Sequence, residues 1–156
     1  MSLQRLLLRV SAAQAVSTLL IVAIAYAFRE HAVAREELLG PFVIAVLIPA
    51  AAYAALERRP LHSLAPVHNI GLVAAYRVRF FLGLGLGQAP ALFGAAGMFV
   101  TSRTWLLALG TLVSAVLLAR NAPTASNVAR DERRLRARGS EASLAEELRR
   151  APDDHA

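Results

Sequence analysis

The side chains that could do chemistry are few in this chain, and they lie outside its apolar stretches. It has four histidines, at His31, His62, His68 and His155, and none falls inside an apolar run. His62 and His68 stand six residues apart around Pro66 with no carboxylate cluster beside them, which is a poor spacing for metal ligands. The chain has no cysteine, which excludes thiolate nucleophiles and Cys-ligated metals. We therefore expect no metal and no other cofactor.

Carboxylates are also absent from the apolar runs, where pumps and proton-coupled carriers usually need an ionisable group. Glu36 and Glu37 follow Arg35 between two runs and have the character of a solvated surface. No P-loop, paired catalytic carboxylates or serine–histidine–acid set is visible in the sequence. These observations predict a protein that is not an enzyme and that has no catalytic residues.

The composition is that of an integral membrane protein. Of the 156 residues, 56% are hydrophobic, whereas soluble domains typically have ~45–50%. The net charge of +6 suggests a nucleic-acid partner, but all 17 basic residues are arginines that stand mainly at the ends of apolar runs. A nucleic-acid domain would instead cluster them on one soluble face with aromatic residues between them. We expect no nucleic-acid partner.

Four apolar runs approach the ~20 residues that a helix needs to cross a bilayer. The fourth run is short, but Arg103 and Arg120 can snorkel at its ends and Trp105 suits the interface. The sequence thus predicts an all-α fold, with a four-transmembrane-helix bundle over 1–120 and a helical tail over 121–156. The predicted spans cover about 6–28, 38–56, 80–100 and 104–120.

The distribution of arginines predicts the orientation, because cytoplasmic loops are enriched in positive charge. With the N-terminus inside, the segments 1–9, 57–79 and 120–156 hold 14 arginines and the outer loops hold three. We therefore expect both termini in the cytoplasm. Arginine without lysine, together with abundant alanine, is typical of GC-rich bacterial genomes and predicts a bacterial plasma membrane.

The first run has a second interpretation. Arg5 and Arg9 before it, and Ala25-Tyr26-Ala27 at its end, also resemble a secretory signal with a small-residue cleavage site. We expect a retained helix.

Arginines flank the connection between the second and third spans. After Pro66, the stretch Val67–Tyr76 is either a short interfacial helix or an early start of the third span, and both place nearby arginines beside lipid phosphates. They are most simply topology anchors; a lipid-headgroup binder or enzyme is the alternative. The candidate headgroup ligands are Arg58, Arg59, Arg77 and Arg79.

The third span is rich in small residues on one face. Glycines and a proline recur at steps of four and three, and alanines follow on the next strip. Such residues let helix backbones approach closely in lipid, so this face should meet another helix of this chain or of a partner. The predicted packing residues are Gly83, Gly87, Pro90, Ala91, Gly94, Ala95 and Gly97.

Gln88 and Pro90 are unusual for the middle of a span. Pro90 donates no backbone hydrogen bond, so the carbonyl of Leu86 loses its helical partner and a kink is expected. The Gln88 amide needs a polar partner in lipid. It either bonds to a neighbouring helix or lines a cavity for a neutral solute.

The tail is polar, with seven arginines and seven acidic residues. One helix is predicted over Thr124–Arg138, ended by Gly139, and a capping box at Ser143 predicts a second from Leu144. An apolar stripe packs these helices together or docks them on a partner. It consists of Val128, Leu135, Leu144 and Leu148.

The segment from Gly87 through Gln88, Pro90 and Ala91 to Gly94, within 83–94, resembles the ring-forming proteolipid subunits of rotary ATP synthases. That resemblance implies glycine-mediated helix packing. The proteolipids have two spans and carry a membrane carboxylate, where this chain has Gln88, so proton-driven rotation is not expected. The chain also resembles uncharacterised four-span membrane proteins of high-GC bacteria. The likeness lies in its third span and in a tail like the stretch from Ala122 to Ser140.

Together these features predict a small non-catalytic membrane protein. We expect an accessory or scaffold subunit that packs through its third span against a larger membrane complex or against itself, in contact with membrane lipids. One alternative is a channel or carrier for a neutral or lipid-like solute around Gln88 and Pro90. Another is a lipid-headgroup binder or enzyme on the cytoplasmic side.

Overall fold

The structure, a computed structural model, describes residues 3–59 and 71–137, together with Leu144 and Leu148. Four of the α-helices in these residues are long and apolar enough to cross a membrane, which confirms the prediction of a helical, multi-pass membrane protein. The described residues contain no strand. The helices are α1 (Leu3–Ala27), α2 (Leu39–Arg58), α3 (Leu72–Thr101), α4 (Thr104–Asn121) and α5 (Ala125–Arg136).

The helix α3 is the central element of the bundle. It packs most extensively on α4, then on α2, and more sparingly on α1, whose apolar side chains are the least buried of the four long helices. Its 30 residues correspond to about 45 Å, the thickness of a bilayer with its headgroups. Because it begins at Leu72, the segment 72–79 continues the third span. The remainder of the alternative interfacial helix lies outside the described residues.

Two clusters of buried side chains fix the direction of α1 relative to α3. Leu3 and Leu7 pack with Tyr76 and Phe80, near the first residues of both helices. At the other end, Ala25 packs with Ala95 and Met98. The two helices therefore run parallel. We call the end of the bundle that carries the first turns of α1 and α3 the tail end, and the opposite end the loop end.

At the loop end, the connection between α1 and α2 caps α3. The backbone N–H groups of Val33 and Arg35 donate to the carbonyl oxygens of Phe99 and Val100, at 2.7 and 3.0 Å. These are among the last carbonyls of α3, which have no partner within the helix itself. Ser102 then ends the helix in the left-handed conformation, with φ of 55°. An α1–α2 connection that is bonded to α3 ties the first two spans to the last two.

Candidate functional site

The small-residue face of α3 is a close contact between α3 and α4. A Cβ atom added to Gly110 of α4 would lie 2.3 Å from the Pro90 carbonyl oxygen, and one on Gly94 would lie 2.5 Å from the Leu106 carbonyl oxygen. The two backbones therefore touch directly. All seven predicted packing residues are buried, and this face is covered within the chain rather than left for a partner.

The rest of this face contacts larger side chains. A Cβ at Gly87 would meet Leu118 at 2.8 Å, and one at Gly97 would meet Leu106 and Phe42. Phe42 belongs to α2, so α3 is enclosed on this side by both α2 and α4. We call the contact between α3 and α4 the glycine seam.

Pro90 lies within α3 where the glycine seam is tightest, and a serine of α4 bonds to the residue that follows it. The Ser114 hydroxyl accepts a hydrogen bond of 2.9 Å from the backbone N–H of Ala91, the residue after the proline. Ser114 is fully buried. Its hydroxyl therefore ties the proline region of α3 to the neighbouring helix, where water cannot replace the bond.

Replacing Ser114 by alanine should destabilise the protein by about 1–2 kcal/mol, because it removes the oxygen that accepts from this buried N–H. The measurement is the melting temperature of the purified protein in detergent. Thr111→Val is the matched control, since the Thr111 hydroxyl donates only to Leu107 of its own helix. Equal melting temperatures for the two variants would show that the bond between helices contributes nothing.

Gln88 finds a partner on α1. Its Nε2 donates to the Ser17 hydroxyl oxygen over 3.4 Å, and both side chains are partly buried. This is the bond between helices that lipid requires of a mid-span amide. Gln88 is thus paired with α1, and the Pro90 carbonyl lies against Gly110 of α4. Both residues around which a channel was considered are therefore in contact with neighbouring helices.

The tail end holds a network of ion pairs that joins α5 to the bundle. Arg79 of α3 and Asp131 of α5 form a pair at 2.9 Å, and their side chains are only 11% and 5% exposed. Arg134 approaches the same carboxylate at 3.8 Å. A buried pair of this kind fixes the position of α5, because separating it would leave an uncompensated charge in a poorly solvated site.

A second carboxylate extends this network to α2. Glu57 pairs with Arg120 of α4 at 3.0 Å and with Arg130 of α5 at 3.5 Å, and its side chain is 11% exposed. Each of α2, α3 and α4 thus contributes one charged side chain to this network, and α5 contributes Arg130 and Asp131. We call the residues Glu57, Arg79, Arg120, Arg130 and Asp131 the tail-end network.

Amide side chains at the same end donate to backbone carbonyls, joining α5 to α4 and α4 to α3. Asn127 donates to the carbonyl oxygens of Ala119 and Ala122, at 2.9 and 2.7 Å, and Asn121 donates to that of Phe80 at 2.9 Å. The first two bonds cap the end of α4, whose last carbonyls lack partners within the helix. The cleft between these groups has room for about one water molecule, so the network is a packed joint rather than a ligand pocket.

The apolar stripe of the tail docks on this chain's own membrane helices. Val128, Leu144 and Leu148 are buried in one cluster with Leu3 and Tyr76, and Leu135 packs against it. The predicted helix over Thr124–Arg138 is observed as α5, with Thr124 as its N-cap. Gly139 and most of the second predicted tail helix lie outside the described residues.

The four headgroup candidates have different environments. Arg58 and Arg59 are exposed at the end of α2, Arg77 is partly buried, and Arg79 is held by Asp131. Sequence reasoning did not find Asp131 or Glu57. The signal for Asp131 was its place on the apolar face of the tail helix, three residues after Val128 and four before Leu135, where an acid needs a buried partner.

Comparisons with known proteins add no function: no family model, curated protein or solved structure matches this chain. Within the residues that the structure describes, no group of three or more histidine or acidic side chains is placed to hold a metal ion. The glycine seam and the tail-end network are therefore the features of this chain that bear on its function.

Proposed function

We propose that this chain is a non-catalytic membrane subunit of the bacterial plasma membrane, an accessory or scaffold protein with both termini in the cytoplasm. The observation that carries this proposal is the tail-end network, which holds α5 against α3 through the buried Arg79–Asp131 pair and against α2 through the Arg130–Glu57 pair. A helix that is fixed across the end of the bundle offers a rigid surface to a partner.

The surface that α5 turns away from the bundle suits a soluble or peripheral protein domain. Ala129, Arg133 and Arg136 are exposed there, beside Glu132. The small-residue face of α3 is buried in the glycine seam, so the partner contacts α5 rather than the third span. The excess of arginines in the segments at this end supports its cytoplasmic location.

Native mass spectrometry of the protein, purified from its own membranes in mild detergent, tests this proposal. We expect a complex of fixed stoichiometry, with a second protein or with further copies of the chain. Reversing the charge of Arg133 and Arg136 to glutamate should remove the partner. The same reversal at Arg29 and Arg35, exposed at the loop end, should not. A strictly monomeric chain with no co-purifying protein would contradict the proposal.

A further inference from the structure

Two neighbouring arginines at the start of α3 differ in how their charge is satisfied. Arg79 is paired with Asp131, whereas Arg77 forms no ion pair within the described residues. The Nε atom of Arg77 is buried and has no hydrogen-bond partner. A buried charged donor without a partner is more costly than a neutral one, so this atom marks a site that an external acceptor would stabilise.

The position of Arg77 on α3 places it on the side of α1. It precedes Gln88 by 11 residues, which is about three helical turns, so the two lie on one strip of the helix. Gln88 bonds to Ser17 of α1, and Leu84 on this strip clusters with Leu7. Arg77 therefore lies at the tail end of the contact between α1 and α3.

A second unpartnered polar atom lies on α1, one helical turn after Leu7, which belongs to the same buried cluster as Phe80 and Leu84. The Ser11 hydroxyl on α1 is buried and has no hydrogen-bond partner. Because α1 and α3 run parallel, the Ser17–Gln88 bond sets their register. Ser11 then lies about 9 Å, and Arg77 about 16 Å, from that bond toward the tail end. A separation of about 7 Å along the helices is within the reach of an arginine side chain and one tetrahedral anion.

The electrostatic field along this contact favours an anion. Neither α1 nor α3 contains an aspartate or glutamate. The N-terminal end of α3, where Gly71 supplies no side-chain cap, adds positive potential. The carboxylates of the tail-end network, Glu57 and Asp131, are paired with other arginines.

Depth in the membrane indicates which anion is available. Arg77 is five residues, or about 8 Å, inside the start of a helix whose length matches the full bilayer, so it lies at headgroup level. Val78 and Phe81 beside it are exposed apolar side chains that suit acyl chains. A phosphodiester with attached hydrocarbon meets both requirements.

We propose that the tail end of the contact between α1 and α3 binds the phosphodiester of an anionic phospholipid. The guanidinium of Arg77 donates to the phosphate oxygens, and the Ser11 hydroxyl donates to a phosphate or headgroup oxygen. The acyl chains lie along Val78 and Phe81. This site does not depend on the accessory role of α5, since it uses other residues of the bundle.

Lipid retention measured by native mass spectrometry tests the site, with protein reconstituted in vesicles of phosphatidylglycerol and phosphatidylcholine and then extracted. We expect phosphatidylglycerol to be retained over phosphatidylcholine. Arg77→Gln should lower that retention about tenfold or more, because a hydrogen-bonded charge contact is lost. Ser11→Ala should lower it by about threefold, as expected for one neutral bond. Arg59→Gln, at an exposed arginine of the same end, is the matched control and should retain the lipid.

Three outcomes decide between the alternatives. Equal retention by the Arg77→Gln and Arg59→Gln variants would overturn the proposal, as would displacement of the lipid by excess glycerol phosphate, which would indicate a site for soluble anions. Arg77→Lys keeps the charge and the fold but loses the planar fork, so partial retention by this variant supports the site. The melting temperature of each variant without lipid shows whether the bundle remains folded.

Discussion

Gly110→Ala should lower the melting temperature of the purified protein by about 10 °C, since the new methyl group collides with the backbone of α3. The added Cβ would lie 2.3 Å from the Pro90 carbonyl oxygen and 3.0 Å from the Gly94 Cα atom, and neither can rotate away. The two helices must therefore separate. Overpacking of this kind costs about 3 kcal/mol of folding free energy. In a chain of this size, each kcal/mol lowers the melting temperature by about 3 °C.

The control for this prediction is Gly85→Ala, on the exposed side of α3. A Cβ there meets nothing within 4 Å, and alanine is the better helix former by about 0.5–1 kcal/mol. Its melting temperature should equal that of the parent or exceed it slightly. If the two variants had the same melting temperature, the glycine seam would not be the contact that holds α3 and α4 together.

Asp131→Asn should release α5 from the bundle while the membrane helices remain folded. The substitution keeps the size of the side chain but leaves Arg79 buried without its counter-ion, and breaking a buried pair in this way costs about 3–5 kcal/mol. Because α5 is attached at one end of the bundle, the loss should appear as local undocking. Trypsin cleavage after the arginines of α5 should become faster by about two orders of magnitude or more, since each 1.4 kcal/mol changes an equilibrium tenfold.

Two further variants separate this effect from a general loss of charge. Glu36→Gln removes the acid of the exposed pair with Arg103 at the loop end, where such pairs contribute ~0–1 kcal/mol, so cleavage in α5 should not change. Replacing Arg79 by methionine and Asp131 by leucine together should restore protection, because an apolar pair fits a buried site at least as well as an ion pair. Rapid cleavage of this double variant, or parental cleavage of Asp131→Asn, would contradict the role assigned to the tail-end network.

The candidate sites were predictable to different degrees. The glycines of α3 were found from their spacing, because steps of four and three place residues on one helix face whatever surrounds it. The partner of that face was not predictable, since Gly110 is a single glycine in an ordinary apolar run. Ser114 was missed for the same reason: a lone serine in a span has no signal until the neighbouring Ala91 N–H is seen.

The tail-end network shows a second limit of prediction from the sequence. Glu57, Arg79 and Asp131 are separated by 22 and 52 residues along the chain, and no spacing rule connects them. In the sequence, nothing distinguishes Arg79 from Arg77, two residues away. Only the approach of α5 pairs Arg79 with Asp131 and leaves Arg77 beside α1.

The sequence by itself determined that this chain forms helices and that four of them suit a bilayer. Hydropathy and small-residue periodicity act within about 20 residues and need no partner to be recognised. The tertiary structure alone decided that α4 covers the glycine face, that the tail docks on its own bundle, and which arginine is neutralised. These features depend on which side chains meet across helices, and in lipid that choice is made by close packing and polar pairing rather than by hydrophobicity.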